Sequence, residues 1–206
     1  MSLAQDLAQG CAKLQLNLPA ETQKKLLDYL QMLQKWNKVY NLTAIRDPDQ
    51  MVSHHLLDSL AVLPHLWAGR WLDVGCGAGL PGMVLAIARP DWQFTLLDSN
   101  SKKTSFVQQS IIELGLTNIT VSCGRVEEFQ ASEKFDGIIS RAFTETSNFV
   151  ELTRHLLAGH GRWAAMKGAP EQELQRLPGD VVVEQIIPLH IPGLEAARCL
   201  VVLKAI

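Results

Sequence analysis

The chain has 206 residues, 47% apolar and 19% charged, enough to bury a sizeable core and far from the composition of a disordered segment. Nineteen basic residues oppose twenty-one acidic ones, a formal net charge of −2, which excludes nucleic-acid binding through a strong global field and leaves only a local patch for it. No run of about 18 apolar residues predicts a membrane span, and the scattered Cys11, Cys76, Cys123 and Cys199 point to reduced thiols in the cytoplasm, with no disulfide frame and no metal site.

Residues 1–66 read as a helical extension, packed as one unit with a domain over residues 67–206. From Pro19 to Tyr40, Leu26, Leu27, Leu30, Leu33, Trp36 and Val39 recur with a 3.6-residue period, and Pro19 suits the first turn. A further helix is expected from Asp47, with Pro48 at its first position and Gln50 completing a capping box. It should bury Val52, Leu56, Leu57, Leu60 and Leu63 and stop near Pro64. After Gly69 the period changes. Short apolar runs at 71–74, 94–97, 119–122, 135–140 and 162–166 alternate with helical stretches at 81–88, 102–114 and 146–157. That alternation predicts a mostly parallel sheet with helices on both faces. The last two runs, 181–189 and 198–203, have no helix between them and predict a closing antiparallel hairpin. The fold class is therefore α/β, a Rossmann-like sheet of the class I S-adenosylmethionine-dependent methyltransferase type, with an N-terminal helical extension.

The segment from Asp73 through Gly75, Gly77, Gly79, Leu80 and Gly82 lies where the first strand turns into the first helix. Glycines there permit positive φ and close approach of a ligand, and free amides at a helix start favour an anion. Gly75-x-Gly77-x-Gly79 fits the methyltransferase spacing, but Gly77-x-Gly79-x-x-Gly82 also fits the dinucleotide fingerprint, and Asp98, ending the second strand, suits the ribose of either cofactor. Asp73 favours the methyltransferase, where a carboxylate ahead of the first glycine helps hold the cationic methionine end. A nicotinamide-dependent oxidoreductase and a non-catalytic RNA-binding protein stay as competing readings.

Three N-terminal blocks, Trp36-Asn37-Lys38-Val39-Tyr40-Asn41-Leu42-Thr43, Ile45-Arg46-Asp47-Pro48 and His54-His55-Leu56-Leu57-Asp58-Ser59, resemble the signature of the RsmG family, also called GidB or glucose-inhibited division protein B. The likeness continues through Asp73-Val74-Gly75, Leu80-Pro81-Gly82, Arg125-Val126-Glu127-Glu128, Ser140-Arg141-Ala142 and Lys167-Gly168, in order along essentially the whole chain. Cys76 departs from the Thr or Ser expected in the loop. The resemblance implies a bacterial enzyme that moves a methyl group from S-adenosylmethionine to N7 of one guanine in 16S rRNA, on the free RNA or the small ribosomal subunit; the sequence carries no sign of oligomeric state, and a monomer is the default expectation. It implies cofactor contacts at Gly75, Leu80, Val126, Glu127 and Arg141, beside Asp73, Gly77, Gly79 and Asp98 from the loop itself.

Guanine N7 holds an in-plane lone pair that is unprotonated near neutral pH, so its attack on a sulfonium methyl needs alignment and no general base. Arg141 and Lys167 follow strands at the carboxyl edge of the sheet and are the expected substrate-positioning residues. Asn41, Arg46, His54, Arg125 and Lys167 are the expected RNA contacts. His54 and Asp58, one turn apart, suggest a His–Asp hydrogen bond. Trp36 reads as core, and Asn37 with Asn41 as RNA contacts or helix-end caps.

Overall fold

The computed structural model describes residues 2–206. Helix α1 (Leu3–Lys13) begins with a reciprocal cap: Ser2 Oγ accepts from the Gln5 amide, and the Ser2 amide donates to Gln5 Oε1. Helix α2 (Ala20–Tyr40) buries Leu26, Tyr29, Leu30 and Leu33, and ends where Asn41 takes a left-handed conformation, φ 51°. Trp36 packs edge-on to Phe106, with ring centroids 5.6 Å apart, as expected of a core residue. Val39, expected on the buried stripe, is 70% exposed, because the last turn of α2 runs beyond the body it covers.

The expected helix at Asp47 is regular only at its two ends. Asp47 caps α3 (Pro48–Met51), but its carboxylate accepts from the Asp49 amide and not from Gln50. A wide π segment, Val52–Leu57, then leads into α4 (Asp58–Leu60). The expected apolar set is buried, and the widened turns also bury Ser53, His55, Asp58 and Ser59. Helix α1 crosses this segment so closely that a Cβ on Gly10 would stand 2.3 Å from Leu57 Cδ1.

Seven strands follow: β1 (Arg70–Val74), β2 (Gln93–Asp98), β3 (Ile119–Cys123), β4 (Phe135–Arg141), β5 (Leu157–Lys167), β6 (Val181–Leu189) and β7 (Arg198–Ala205). They form one sheet in the order β3-β2-β1-β4-β5-β7-β6, parallel through β5, with β7 antiparallel to both β5 and β6. The crossovers are α5 (Gly82–Ala88), α6 (Ser101–Glu113) and α7 (Thr146–Thr153), and a short α8 (Glu171–Leu174) precedes the hairpin. Helix α7 stops earlier than its apolar pattern suggests. Thr153 Oγ1 accepts from Trp163 Nε1 at 2.9 Å, and the chain passes through one 3-10 turn directly into a longer β5.

Alternation in the strands sends side chains to two cores. Trp71, Phe94, Leu96, Ile139 and Val202 join the layer of α1, α2, α5 and α6. Leu72, Val74, Ile138, Trp163 and Val201 join Phe149 and Val150 of α7. Strand order reverses between β1 and β4, so their carboxyl ends open a crevice, the usual ligand site of such sheets. The contact between them is tight: a Cβ on Gly137 would meet the Trp71 ring at 2.5 Å. Gly137→Ala should therefore destabilise the protein by about 1–3 kcal/mol, as overpacked cores do. Urea unfolding measures it, and an unchanged midpoint would show that the ring has room to move.

Candidate active site

The loop after β1 is shaped by three left-handed glycines, Gly75 (φ 68°), Gly77 (φ 58°) and Gly79 (φ 97°), a conformation that side chains resist. Carboxylates from two strands pin it. Asp98 Oδ2 accepts from the Gly77 amide at 2.8 Å, and Asp73 Oδ2 accepts from the Gly82 amide at 2.7 Å. From the helical layer, the buried Tyr29 hydroxyl donates to the Ala78 carbonyl at 2.7 Å. Above the loop lies a cleft of about 330 Å³, walled by Val74, Gly75, Asp98, Lys103, Val126 and Phe143. A Cβ on Gly77 would find only Lys103 Nζ, 4.0 Å away, so the loop backbone is bare toward a ligand.

Asp73 is fully buried below this loop, and its Oδ1 has no hydrogen-bond partner. Burial pushes its carboxyl up to about 7, against the pull of the Gly82 amide and the Arg141 guanidinium. An acid held half-neutral in the floor, with one oxygen unpartnered, fits a site that receives a cation.

A second recess of about 440 Å³ adjoins the cleft, and Ala142 lines both. Ala142 itself is left-handed, φ 53°, a strain of the kind that collects at active sites. The recess presents Arg141, Lys167, Arg198 and His54 beside Ile45 and Met166. Its one carboxylate, the buried Asp58, is engaged: Arg141 Nη1 donates to Oδ2 at 2.9 Å, and Arg198 Nε lies 3.3 Å from Oδ1 as an ion pair without hydrogen-bond alignment. Arg141 Nη1 also donates to the His54 carbonyl at 2.9 Å, joining the π segment to the end of β4. The other groups of the π segment are quieter. Burial and the Arg141 charge push His55 down to about 4, so it is neutral, with Nε2 3.2 Å from Thr43 Oγ1.

The expected residues divide by place. Gly75, Asp98, Val126 and Glu127 line the cleft, and Arg125, expected to touch RNA, lines it too. Leu80 is packed in the core and Asp73 sits under the loop, so neither forms its wall. Arg141 faces the recess, not the cleft. Lys167 lines the recess, but its ammonium donates to the Thr144 carbonyl at 2.7 Å and pairs with Glu173 at 2.7 Å. Burial disfavours the Glu173 charge, yet Lys167 and the Thr146 donors hold its carboxyl below the usual range. The expected His54–Asp58 bond is not formed: Asp58 takes the guanidiniums, and His54 Nδ1 donates to the Gln50 carbonyl at 2.9 Å, an atom that can only accept. Asn37 is a turn-former, buried and accepting from the Thr43 amide at 2.9 Å. Asn41 and Arg46 line a separate pocket, joined by a bond from Arg46 Nη2 to Asn41 Oδ1 at 3.0 Å. Sequence reasoning missed Arg198, Phe143, and the place of Lys103 in the cleft wall. Pairing β7 antiparallel to β5, with Cys199 opposite Lys167, would have brought Arg198 to the carboxyl edge.

This order of seven strands, with the glycine loop at its switch point, is the fold of class I methyltransferases. Solved structures share it. The N-methyltransferase NodS from Bradyrhizobium japonicum, in complex with S-adenosyl-L-homocysteine, superposes with a TM-score of 0.60 at 14% identity, over 84% of this chain and 98% of its own. An S-adenosylmethionine-dependent methyltransferase from Aquifex aeolicus gives 0.58 at 17% identity, over 79% and 96%. Residues 22–201 match the family described as GidB, rRNA small subunit methyltransferase G. Ribosomal RNA small subunit methyltransferase G of Laribacter hongkongensis is 54% identical over 98% of both chains, and that of Neisseria meningitidis serogroup B is 50% identical over 99% of both. The chain belongs to this family of methyltransferases.

The Asp73 carboxyl gives a test of the site's electrostatics. In the unfolded chain it ionises near 3.8, in the fold near 7, so the fold loses stability as pH rises between those values and no more above. In Asp73→Asn that loss is absent. The melting temperature of the variant minus that of the native protein should rise steadily from about pH 4 to pH 7 and then level off. A difference that does not vary with pH would mean that Asp73 is ionised throughout.

Proposed function

We propose that the protein transfers the methyl group of S-adenosylmethionine to N7 of a guanine in the 16S rRNA of the small ribosomal subunit. The observation that carries this reading is the single wall, Ala142, between a glycine-floored cleft and a cation-lined recess with no unengaged carboxylate. The names of the relatives support the RNA substrate, and the sequence resemblance supports guanine N7.

Asp98 would accept from the ribose hydroxyls, Val126 and Glu127 would meet the adenine edge, and Gly77 would let the nucleoside lie on bare backbone beside Gly75 and Phe143. Asp73 would balance positive charge from below. The bound cofactor supplies an electrophilic methyl on a sulfonium. The chain supplies alignment: the recess would hold the guanine with the guanidinium of Arg141 or Arg198, both paired with Asp58, toward its O6, which leaves the N7 lone pair facing the methyl group. Arg125 and His54 would meet flanking RNA. Methylation at N7 leaves the purine cationic, and the Asp58 carboxylate offsets the nearby guanidiniums so that this charge is tolerated. No proton leaves N7; Asp58 is paired twice, and burial and the Arg141 charge make His55 a poor proton acceptor.

In an A-form duplex N7 lies in a deep groove that side chains do not enter, so the target base is unstacked or in a loop. One chain carries both cavities, which suits action as a monomer, and a ribosomal RNA substrate suits a cytoplasmic enzyme. Among the described residues no helix is long and apolar enough to cross a membrane.

With cofactor and RNA saturating, kcat should be flat from about pH 6.5 to 8.5, because the bound cation holds Asp73 ionised, and a bell with a pKa inside that window that persists in Asp73→Asn would reveal a general base. Arg141→Lys keeps the charge but loses the double bridge. It should lower kcat for rRNA about 100-fold, the scale of a small misplacement, while S-adenosylhomocysteine binding by calorimetry is retained. Mass-spectrometric mapping of rRNA after incubation with labelled cofactor decides the reading. Label on N7 of one guanine supports it; label on another atom, or none, refutes it.

A further inference from the structure

Seven of the nine arginines are held in ion pairs: Arg70 with Glu133, Arg89 with Asp91, Arg141 and Arg198 with Asp58, Arg154 with Asp180, Arg162 with Glu184 and Arg176 with Glu145. The other two are Arg46 and Arg125. Both open onto cavities, Arg125 onto the cofactor cleft and Arg46 onto a pocket of about 360 Å³ in the helical layer. In a chain of net charge −2 that otherwise pairs its arginines, these two forks are kept for something outside the protein.

The Arg46 pocket lies between the last turns of α2 and the start of α3. Its rim carries Lys38, exposed and in no ion pair among the described residues, and Arg46, steadied by its bond to Asn41 Oδ1. Pro48 and Met51 give it apolar surface; of its side-chain amides, Asn37 and the Asn41 oxygen are engaged within the protein, whereas the buried Gln34 Nε2 has no hydrogen-bond partner. Amides over an apolar floor, with cations at the mouth, match a heterocyclic base attached to a phosphate. Asp47 and Asp49, both exposed at the start of α3, keep the positive potential local to Lys38 and Arg46, which suits one nucleotide and not a length of duplex.

Place decides which nucleotide. The loop after α2 separates this pocket from the methyl-acceptor recess by adjacent residues: Ile45 lines the recess, and Arg46 lines the pocket. A guanine drawn out of its stack leaves its neighbours unstacked as well, and holding one of them offsets that cost. We propose that the Lys38–Arg46 pocket binds one unstacked nucleotide of the same RNA strand, beside the target guanine, with its phosphate on the two cations. The proposal rests on the rRNA reading above and extends it to a second base-sized site.

The test measures methyl transfer to small ribosomal subunits by the full-length protein across a salt series, for the native chain and for Lys38→Gln, Arg46→Gln and Lys134→Gln. Lys134, in the loop before β4, is an exposed lysine on the opposite edge of the sheet and serves as the charge control. Each pocket variant should raise the KM for the subunit about 5-fold at unchanged kcat, and lower the slope of log kcat/KM against log salt by about 0.7, one single-strand phosphate contact. Lys134→Gln should change neither, and all variants should keep the native melting temperature and S-adenosylhomocysteine affinity. Ultraviolet cross-linking with the native protein should place a nucleotide adduct within residues 34–51. Unchanged slopes in both pocket variants, an equal change in Lys134→Gln, or adducts only elsewhere would overturn the pocket. If the native chain transfers no methyl to rRNA, the underlying reading fails instead.

Discussion

The structure depends on how one loop of bare backbone is held. Between β1 and α5 the chain adopts three left-handed glycines at alternate positions, and that geometry survives because Asp73, Asp98 and Tyr29 fix it from three different elements. Two of these fixers are carboxylates accepting from backbone amides, and Asp73 does so at a cost, since full burial disfavours its charge. The loop is thus ordered in advance of any ligand, and the binding energy of a nucleoside is not spent on ordering it. Tyr29 adds a consequence for the whole molecule. The helical layer is fastened to the cofactor loop itself and is not only a cover for the sheet.

Asp58 makes the second fastening. It joins the π segment to β4 through Arg141 and to β7 through Arg198. A π turn releases backbone groups from the regular ladder, and here the His54 carbonyl is taken up by Arg141. The helical layer, the parallel half of the sheet and the antiparallel hairpin therefore meet at one buried carboxylate, on the wall of the recess beside the cofactor cleft. Removing either guanidinium would leave that charge under-compensated, so the recess and the packing of the N-terminal helices are one construction.

Much of this was legible in the sequence. The central strands showed because they are buried on both faces and read as short apolar runs. The closing hairpin showed because nothing helical separates its two runs, and the glycine loop because three glycines at alternate positions have few other uses. Tertiary choices did not show. An i to i+4 spacing made His54 and Asp58 partners on paper, but Asp58 prefers two guanidiniums that come from residues 83 and 140 positions away. Asp58 directly follows a π segment whose widened turns no periodicity announces. Lys167 was placed correctly at a strand end, while its pairing with Glu173 depends on a four-residue helix, α8, too short to leave a pattern. Arg198 was overlooked because its position follows from the register of β7 on β5 and not from its neighbours in sequence.

In the proposed function, the pinned loop seats an adenosylated amino acid with its sulfur turned toward the Ala142 wall. A crystal structure of the protein with S-adenosylhomocysteine tests this most directly. The account predicts ribose hydroxyls within about 3 Å of the Asp98 carboxylate, the Gly77 amide still bonded to Asp98, and the sulfur facing the recess of Arg141 and Arg198. A ligand seated elsewhere, or one whose sulfur points away from that recess, would contradict it.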